Sequence, residues 1–291
     1  MILLLDGHNL AFRSFYGMPE LTTSRGFPTG ALHGWVRTLW MIADQFEADR
    51  MVVFFDEAGS ARHEQLDPQY KANRDEAPEG LEAQLPYMRT LSNAMGVPAF
   101  SRKGVEADEL IAATARALAS SGQSVRIVSA DKDLAQVLGE GIGQIVPPPT
   151  ANPKLGWRTL DAEGVREKFG VPPERIPDYL ALIGDTSDNI PGLAGVGPKT
   201  AAKWLQQFGD LEGVLAAGGS IKPPRFQAVL TDPAQAERVR LNLRMVRFPE
   251  DTEVDSAWLE PRTPDPKQLQ SLLEELEMRK AAADASERYG T

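Results

Sequence analysis

Aspartates follow three short apolar runs of the sequence. The runs and the acids after them are residues 2–5 with Asp6, residues 51–55 with Asp56, and residues 125–129 with Asp131 and Asp133. If these runs are strands of an open parallel sheet, their carboxyl ends meet along one edge, where ligands bind. Two further acidic segments could reach that edge: VEADEL with Glu106, Asp108 and Glu109, and GDTSDN with Asp185 and Asp188. We therefore expect acids that are far apart in the chain to gather in one cleft.

Nine carboxylates gathered in this way could not all stay charged without bound cations. Two unit charges ~4 Å apart repel by about 1 kcal/mol in water and by roughly 4 kcal/mol at an effective dielectric constant near 20. Over many pairs this repulsion exceeds the net stability of a domain, which is about 5–15 kcal/mol. Oxygen ligands favour Mg²⁺, Mn²⁺ or Ca²⁺, and zinc is disfavoured because there is no cysteine and only His8, His33 and His63. Two such ions about 3.5–4 Å apart are the usual apparatus for cutting phosphodiesters.

Each acid taken singly also has a purely structural explanation. An aspartate after a strand is most often a turn or a helix cap, GDTSDN could form an Asx-turn, and Glu106 could be the charge at a helix start. Three strand ends together with two acidic segments are much harder to explain in this way. A covalent mechanism is disfavoured, because the sequence offers no Ser/His or Cys/His pair to support it.

The segment IPGLAGVGPKTAAKWLQQFG carries a second motif, which predicts a helix, a glycine-punctuated turn and another helix. Its three glycines, Gly192, Gly195 and Gly197, permit close backbone approach and positive φ. The amides at the start of the second helix favour an anion, and Lys199 and Lys203 lie on one helix face beside them. This glycine–lysine segment (residues 192–203) is expected to bind nucleic-acid backbone without sequence preference. The alternative is an ordinary helical hairpin with a glycine-rich turn.

The spacing of apolar residues predicts an α/β domain with a parallel-type sheet and right-handed crossovers. Strands are predicted over residues 1–6, 51–56, 97–100 and 125–129, and helices over 30–46, 81–95, 106–120 and 132–138. Residues 57–80 carry glycines, prolines and charges, so they are expected to form a loop or a mobile segment.

A second, mostly helical region is predicted after prolines 147–149 and 153. Its helices are expected over residues 161–169, 176–183, 198–208, 211–217, 225–230, 233–245 and 264 to about 285. We therefore predict an α/β domain over residues 1–160 and a helical nucleic-acid-binding region over residues 161–291. The alanine-rich, charged end AAADASERYGT is expected to fray.

Composition excludes several classes of protein. The chain has 291 residues, 42% of them hydrophobic, and its lack of cysteine fits a reducing compartment. The start MILLLD lacks the features of a signal peptide, and no apolar run approaches the ~18 residues of a membrane span, so the cytoplasm is the expected location. The net charge of −10 does not exclude nucleic acid as a partner. The clustered acids nearly account for the excess, and two divalent ions would return four charges.

These motifs resemble, in the same order, those of the 5′-nuclease family: the 5′→3′ exonuclease domain of bacterial DNA polymerase I, phage 5′-exonucleases and flap endonucleases. The matching stretches run from residue 3 to about 205 and include LLLDGHNLAFRSFYG, LTTSRGFPTGALHG, VVFFDEAG, YKANRDEAPEGL, GVEADELI, SADKDLAQ and ALIGDTSDNIPGLAGVGPKTAAKWL. The resemblance implies a PIN-like domain with an arch segment over about 57–90 and a helix–three-turn–helix module over about 176–208. It also implies two Mg²⁺ ions, with Mn²⁺ as an alternative, and hydrolysis of DNA at a 5′ end or flap during replication and repair. A nucleoid-associated monomer in a bacterial-type cytoplasm is expected.

The resemblance further implies roles for individual residues. One metal group comprises Glu106 and Asp108 with Asp6 and Asp56 nearby, and the second comprises Asp131, Asp133, Asp185 and Asp188. Lys71 and Arg74 lie in the arch segment, the gateway for the 5′ strand, and Lys71 would approach the scissile phosphate. Contacts to DNA are expected from Arg13, Arg62, Lys71, Arg74, Gly192, Gly195, Gly197, Lys199, Thr200 and Lys203. One monovalent ion such as K⁺ is expected in the turn over residues 187–196.

The chain departs from the family pattern at three points. Glu109 stands where bacterial members usually have aspartate, and its extra methylene could still reach a metal or its bound water. The loop after Asp56, EAGSAR, lacks the lysines common there, which predicts a weaker hold on phosphate. The chain has no polymerase region, so it fits both a stand-alone nuclease and an isolated domain.

Three rival functions remain open from the sequence. They are a nucleic-acid-binding relative with a degenerate active site, a PIN-type ribonuclease, and a phosphatase or phosphotransferase on small substrates. The complete second carboxylate group argues against the first, and the glycine–lysine segment against the second. The long arch segment argues against the third.

Overall fold

Six strands form the central sheet of the computed structural model, which describes residues 1–290 of the chain. They are β1 (Ile2–Asp6), β2 (Arg50–Phe54), β3 (Ala99–Phe100), β4 (Val125–Val128), β5 (Ile142–Val146) and β6 (Arg158–Leu160). Their spatial order is β3-β2-β1-β4-β5-β6, and all neighbours are parallel except β5 and β6. The four predicted strands and the mostly parallel sheet are confirmed, whereas β5 and β6 add to the predicted set.

Strand β1 lies inside the sheet, and both of its faces are covered. All its residues are buried. Ile2 and Leu4 belong to the apolar core on one face, and Leu3 and Leu5 belong to the core on the other. This is the burial expected of a parallel strand with helices on both sides. Because β2 and β4 flank β1 in parallel, the acids after all three strands emerge at the same edge.

Six helices accompany the sheet in the first half of the chain. They are α1 (Gly7–Gly17), α2 (Gly30–Gln45), α3 (Ala61–Leu66), α4 (Glu79–Glu82), α5 (Leu85–Ala94) and α6 (Ala107–Ser120). Helix α6 covers one face of the sheet, and α1, α2 and α5 cover the other. The predicted loop over residues 57–80 contains the short helix α3, and residues 67–73 beyond it form turns.

The second half is mostly helical, as predicted. Its elements are α7 (Ala162–Phe169), α8 (Ile176–Ile183), β7 (Gly184–Asp185), β8 (Ile190–Pro191), α9 (Pro198–Phe208), α10 (Leu211–Ala216), α11 (Gln227–Thr231) and α12 (Pro233–Val246). Helix α8 packs against both α9 and α12. Leu180, Leu205 and Val239 belong to the same apolar core as Leu4 and Ile127. One core therefore joins the two halves, and the boundary at residue 160 stays a prediction.

Two further helices, α13 (Pro266–Glu275) and α14 (Arg279–Tyr289), return to the first half of the chain. Leu269 and Leu273 are buried in the core that α2 and α5 form on the sheet. In α14, the Tyr289 hydroxyl accepts from Trp40 Nε1 at 3.1 Å. The prediction of a single helix to about 285 is wrong, because the chain turns at Glu277 with φ +55°. The prediction of a frayed end is also wrong for residues 281–290, since Ala281, Ala282 and Ala285 form the packed face of α14. Thr291 lies outside the described residues.

The length and apolarity of the helices test the prediction that the chain has no membrane span. Among the described residues, none of the helices is both long and apolar enough to cross a bilayer. The longest, α2, has 16 residues, whereas a spanning helix needs about 20 apolar residues.

Candidate active site

The acids that follow the strands line one cleft at the carboxyl edge of the sheet. Asp6 ends β1, Asp56 lies two residues after β2, and Asp131 lies in the loop after β4. With Asp108, in the first turn of α6, they line a cleft of about 300 Å³. Two cations of the arch segment, Lys71 and Arg74, complete its charged lining.

Asp6 is buried at the base of this cleft and is held by two hydrogen bonds. Its Oδ1 accepts from the Asn9 amide at 3.0 Å, which caps α1, and its Oδ2 accepts from the Ser129 hydroxyl at 2.8 Å. Burial raises the pKa of Asp6 to about 6 against these hydrogen bonds, and the charges of Asp56 and Asp131 add to the rise. Asp6 therefore ionises at a higher pH than an ordinary aspartate, and a nearby cation would favour its charged form.

Asp56 has the opposite electrostatic environment. Its Oδ1 accepts from the Ala107 amide at 2.8 Å, and His8 Nδ1 lies 3.2 Å from its Oδ2. Desolvation by the cleft walls opposes ionisation, but the contacts with His8 and the Ala107 amide outweigh it and lower the pKa of Asp56 to about 2. Asp56 is therefore charged at neutral pH.

Glu106, the residue before α6, is buried among three polar partners. Lys71 pairs with its Oε1. The Tyr70 hydroxyl donates to Oε2 at 3.0 Å, and His63 Nδ1 lies 3.0 Å from the same atom. Burial alone would raise the pKa of Glu106, but the His63 contact and the Lys71 charge lower it to about 2. The carboxylate at the start of α6 is therefore charged and already engaged by the arch segment.

At Asp108 and Asp131 the effect of burial outweighs the compensating contacts. Burial raises the pKa of Asp108 well above its usual value, and the charges of Glu106 and Asp131 add to the effect. Burial likewise raises the pKa of Asp131, although its Oδ1 accepts from the Asp133 amide at 2.9 Å. A nearby cation would favour the charged form of both carboxyls.

A second acidic group consists of Asp133, Asp185 and Asp188, all buried. One carboxylate oxygen from each lies within 4.8 Å of the others. Lys132 donates to Asp185, and its Nζ lies 3.5 Å from Asp133 Oδ1. That Oδ1 atom is buried and accepts no hydrogen bond from the residues that the structure describes. Burial and the charge of Asp131 raise the pKa of Asp133 well above its usual value.

Asp185 and Asp188 sit on the hairpin formed by β7 and β8. Burial opposes ionisation of Asp185, but Lys132 and the Ser187 hydroxyl, which donates at 2.6 Å, lower its pKa. Asp188 Oδ1 accepts from Arg74 at 2.8 Å, and the Tyr70 hydroxyl oxygen, whose one proton lies between the two carboxylates, is 3.3 Å from Asp188 Oδ2. Tyr70 thus joins Asp188 to Glu106, so one side chain links the two acidic groups.

The arch segment lies directly on this hairpin. The Lys71 amide donates to the Asp188 carbonyl at 3.0 Å, and Asn73 Nδ2 donates to the Thr186 carbonyl at 2.8 Å. Lys71 has φ +53°, a left-handed conformation that is unusual for a residue with a side chain. Burial would lower the pKa of Lys71, but the charges of Glu106 and Asp188 raise it. Both predicted arch cations therefore reach the carboxylates.

The predicted helix–turn–helix consists of α8, the β7–β8 hairpin, a turn and α9. A Cβ on Gly192 would lie 2.2 Å from the Ile183 carbonyl carbon and oxygen, so only glycine fits there. Gly195 has φ +75°. Gly197 precedes α9, and the Thr200 amide donates to its carbonyl at 3.0 Å. Lys199 and Lys203 are exposed on one face of α9. The ion expected in the turn over residues 187–196 stays a prediction.

Two family models of 5′-3′ exonucleases match the chain. The model of the N-terminal resolvase-like domain matches residues 1–170, and that of the C-terminal SAM fold matches residues 171–269. A 5′-3′ exonuclease of Aquifex aeolicus (strain VF5) is 36% identical over 278 residues, which are 95% of this chain and 92% of that protein. The chain belongs to the 5′-3′ exonuclease family. The resemblance drawn from the sequence motifs is confirmed, and so is the nuclease class of the enzyme.

Other relatives of this chain are longer proteins, and the chain spans less than a third of their length. DNA polymerase I of Deinococcus radiodurans is 39% identical over 280 residues, which are 95% of this chain but 28% of the polymerase. For the polymerase of Thermus filiformis the covered share is 32%. Among solved structures, the zinc-bound T5 5′-exonuclease has a TM-score of 0.71 at 22% identity, with 98% of each chain covered. The solved structure confirms the α/β fold with a helical second half.

The acidic residues of this exonuclease-family cleft fit hard divalent cations. Every predicted ligand is a carboxylate oxygen, the donor type that such ions prefer. Asp133 Oδ1 is buried without a hydrogen bond among the described residues, and the pKa values of Asp108 and Asp133 are raised well above normal. A divalent cation would satisfy that oxygen and would return these carboxyls to their charged form.

Three residues predicted for the site, Glu109, Arg62 and Arg13, instead make contacts that hold neighbouring elements together. Glu109 is buried and its Oε1 pairs with Arg62 Nη1 at 3.1 Å, so it holds α6 to α3. Arg62 also donates to the Arg247 carbonyl at 3.2 Å. Arg13 donates to the Pro148 carbonyl and thereby fixes the loop after β5. Because successive helix residues turn by about 100°, Glu109 departs from the direction of Asp108.

Buried carboxamides support the acidic loops, and the sequence motifs did not predict them. Gln144 in β5 donates to the Ser129 and Asp131 carbonyls, both at 2.9 Å. Gln136 donates to the Asp133 carbonyl at 3.0 Å. Asn242 in α12 donates to carbonyls of α8 and β8 at 3.1 and 2.7 Å. The one indication in the sequence is a glutamine inside the apolar run IGQIV, where a buried polar side chain needs partners.

Proposed function

We propose that this protein is a structure-specific 5′ nuclease that hydrolyses DNA at 5′ ends and 5′ flaps, in the removal of primers or flaps. The observation that carries the proposal is the meeting of carboxylates from five chain segments beside a helix–turn–helix with exposed lysines. Family membership supports the reaction. The T5 D15 flap endonuclease, solved with DNA and metal ions, supports the substrate class and has the same fold with a TM-score of 0.70.

Two divalent cations are the proposed cofactors, Mg²⁺ in the first place and Mn²⁺ as an alternative. The first would be held by Glu106 and Asp108, with Asp6 and Asp56 nearby, and the second by Asp131, Asp133, Asp185 and Asp188. When bound, such ions supply a nucleophile from water at neutral pH and stabilise charge on the attacking and leaving oxygens.

Lys71 and Arg74 would hold the scissile phosphate. They pair with Glu106 and Asp188, so they already stand at the edge of both acidic groups. With those carboxylates neutralised, the Lys71 ammonium and the Arg74 guanidinium would be free to turn to phosphate oxygens. The planar fork of arginine suits two such oxygens, and both charges oppose the negative charge that develops on the phosphate.

DNA would extend from the cleft along the exposed face of α9. Lys199, Lys203 and the amides at the start of α9 would bind backbone phosphates, while the arch segment would admit the 5′ strand. None of these groups faces a base edge in this arrangement, so the shape of the substrate would decide where it is cut. We propose a monomer as the active unit, because one chain supplies both acidic groups.

Cleavage of a fluorescent 5′-flap DNA with Mg²⁺ tests the proposal. We expect product from the wild-type protein and none with EDTA, Asp131→Ala or Asp185→Ala. Both variants should still bind the flap, because the exposed lysines of α9 are unchanged. Full activity in EDTA, or in either variant, would contradict the metal-dependent mechanism.

Parallel substrates distinguish the rival functions. An RNA flap cut faster than the DNA flap would favour a PIN-type ribonuclease, and binding without cleavage under all metal conditions would favour a degenerate relative. A nicked duplex and a free single strand, run beside the flap, separate exonuclease from flap-endonuclease action. We expect the flap and the nicked duplex to be cut near their 5′ ends.

A further inference from the structure

A basic groove lies beside the acidic cleft. It has a volume of about 420 Å³ and lies between α1, residues 147–150 and α7. Asn9 and Phe12 line both the groove and the cleft, so the two are continuous. Arg158 on β6 and Lys168 on α7 supply the charge of its far wall.

These two cations have no acidic partner within the described part of the chain. The side chains of Arg158 and Lys168 are exposed, and neither makes a hydrogen bond or an ion pair with another described residue; Lys168 Nζ lies 4.8 Å from the Phe169 ring centroid. Partial burial lowers the pKa of Lys168, and the positive charges of Arg158 and Lys132 lower it further. A chain with a net charge of −10 therefore keeps like charges together here without a carboxylate. Such an arrangement favours an anionic ligand.

Arg13, which the resemblance assigned to DNA, has a different part in the groove. Its guanidinium donates to the Pro148 carbonyl and lies 5.7 Å from the Trp157 ring centroid. Arg13 therefore shapes the wall formed by residues 147–150. Arg158 and Lys168 remain the cations available to a ligand.

Tyr16 adds an aromatic surface at the end of α1. Its side chain is 63% exposed, the highest value among the exposed large hydrophobic residues. The ring stacks on Phe12 at 6.4 Å between centroids with an interplanar angle of 22°, and Phe15 contacts it edge-on at 5.3 Å. One aromatic face is thus held in place at the groove by two neighbours. Base stacking on such a face contributes about 1–3 kcal/mol per base without sequence preference.

We infer that the basic groove binds unpaired nucleotides of the substrate next to the cut site, an assignment that rests on the proposed function. Arg158 and Lys168 take backbone phosphates, and Tyr16 stacks with a base. The volume falls in the range of small-ligand pockets, roughly 300–1,000 Å³, which fits one or two nucleotides and excludes a double helix. The groove thereby selects substrates with a single-stranded part, whereas the lysines of α9 hold backbone of any kind.

Binding measured by fluorescence anisotropy in EDTA tests this inference without cleavage. The double variant Arg158→Glu/Lys168→Glu should bind a labelled single-stranded 12-mer at least about tenfold more weakly than wild type. Its salt slope on that strand should fall by about 1.4, which is 0.7 for each of two lost phosphate contacts. Binding of a blunt duplex should change by less than about threefold.

A matched control separates the loss of the two groove cations from the change in net charge. Arg166→Glu/Arg279→Glu makes the same charge change at exposed positions, one of them on α7 itself, and should bind the 12-mer nearly as well as wild type. Tyr16→Ala should weaken single-strand binding, whereas Tyr16→Phe should keep it because the ring remains. If the glutamate substitutions disturb folding, Arg158→Gln/Lys168→Gln can replace them and should show a smaller loss of affinity for the 12-mer.

Two outcomes would overturn the inference. One is an unchanged affinity and salt slope for the 12-mer in both groove variants. The other is an equal loss for single strand and blunt duplex, which would make the groove a general backbone contact. Failure of the wild-type protein to cut any flap refutes the proposed function instead, and the EDTA binding assay separates that result from failure of the groove.

Discussion

The acidic cleft and the glycine–lysine segment are built in opposite ways. The cleft joins side chains from β1, the loop after β2, α6, the loop after β4 and the β7–β8 hairpin, and several are held by partners distant in sequence, such as Ser129 for Asp6 and the Ala107 amide for Asp56. The segment over residues 192–203 is local, and its shape depends on backbone approach at glycine and on the start of α9. One region therefore depends on the whole sheet, and the other on a single turn.

The two regions also differ in how they hold charge. The cleft concentrates buried carboxyls, several with raised pKa values, and offsets them with Lys71, Arg74 and Lys132. The lysines of α9 are exposed and lie on a helix with solvent around them. Changes in the cleft should consequently alter stability and chemistry together. Changes at the α9 lysines should alter only binding, whereas a changed backbone at the turn should disrupt the segment.

Gly192→Ala should have the largest effect, because it breaks the local region at its backbone. The new Cβ would lie 2.2 Å from the Ile183 carbonyl carbon and oxygen, which cannot move away without displacing α8. We expect a loss of about 4 kcal/mol or more in the free energy of unfolding, measured by urea denaturation. Gly197→Ala is the matched control, since a Cβ there would meet nothing within 4 Å. Equal stability of the two variants would contradict the close-approach argument.

Lys71→Ala should lower the cleavage rate by about 10²–10³-fold, the usual loss when one charge-stabilising donor is removed from an active site. The cause is the missing ammonium group beside Glu106. Single-turnover rates at saturating enzyme measure the effect separately from binding. Lys103→Ala, at an exposed position after β3, is the control and should keep the wild-type rate. If Lys71→Ala kept the wild-type rate, the Lys71 ammonium would have no part in catalysis.

Asp6→Asn should stabilise the metal-free protein at pH 8 by roughly 2–3 kcal/mol, at 1.36 kcal/mol per pKa unit. Folding raises the pKa of Asp6 from 3.8 to about 6. Its contribution to wild-type stability is therefore full below about pH 4 and is lost as the pH rises through 6. Urea denaturation in EDTA between pH 4 and 8 should show the two proteins alike at low pH and diverging above it. Parallel curves would contradict the raised pKa.

Lys199→Ala/Lys203→Ala should have the smallest effect, a loss of binding without a loss of stability. Each lysine that contacts a phosphate of duplex DNA contributes about 0.9 to the slope of log K against log salt. We expect that slope to fall by up to about 1.8, with an affinity loss near tenfold at moderate salt. Lys267→Ala/Lys280→Ala, on α13 and α14, is the control. An unchanged slope of log K against log salt would show that the α9 lysines do not bind phosphate.

The acidic cleft could be predicted from the sequence because each strand and the acid after it are encoded by one short segment. Each strand that carries an acid is a short apolar run, and parallel packing then brings Asp6, Asp56 and Asp131 together without further detail. The helix from residue 198 to 208 was predicted to the residue from its glycine, proline and periodicity. Both cases need only neighbours in sequence.

What the sequence did not predict depends on distant contacts. The ammonium of Lys132 neutralises Asp185, 53 residues away, and Asn242 holds carbonyls 51 and 61 residues away. Glu109 points in a different direction from Asp108 on α6, and a sequence motif does not contain that direction. The alanine-rich end gave the wrong expectation, because composition typical of a frayed helix also forms a close-packed face when α2 lies beside it.

The packing of α13 and α14 on the first half of the chain limits where the protein can be cut into fragments. Leu269 and Leu273, with the small residues of α14, occupy the same core as Trp35 and Leu39 of α2. A fragment cut after residue 160 would leave that face open to water, and residues 133–137, which contact both α6 and α8, would lose their cover from α8. Such a fragment should aggregate when expressed alone. It should become soluble only when the remaining piece is co-expressed and the two reassemble by complementation.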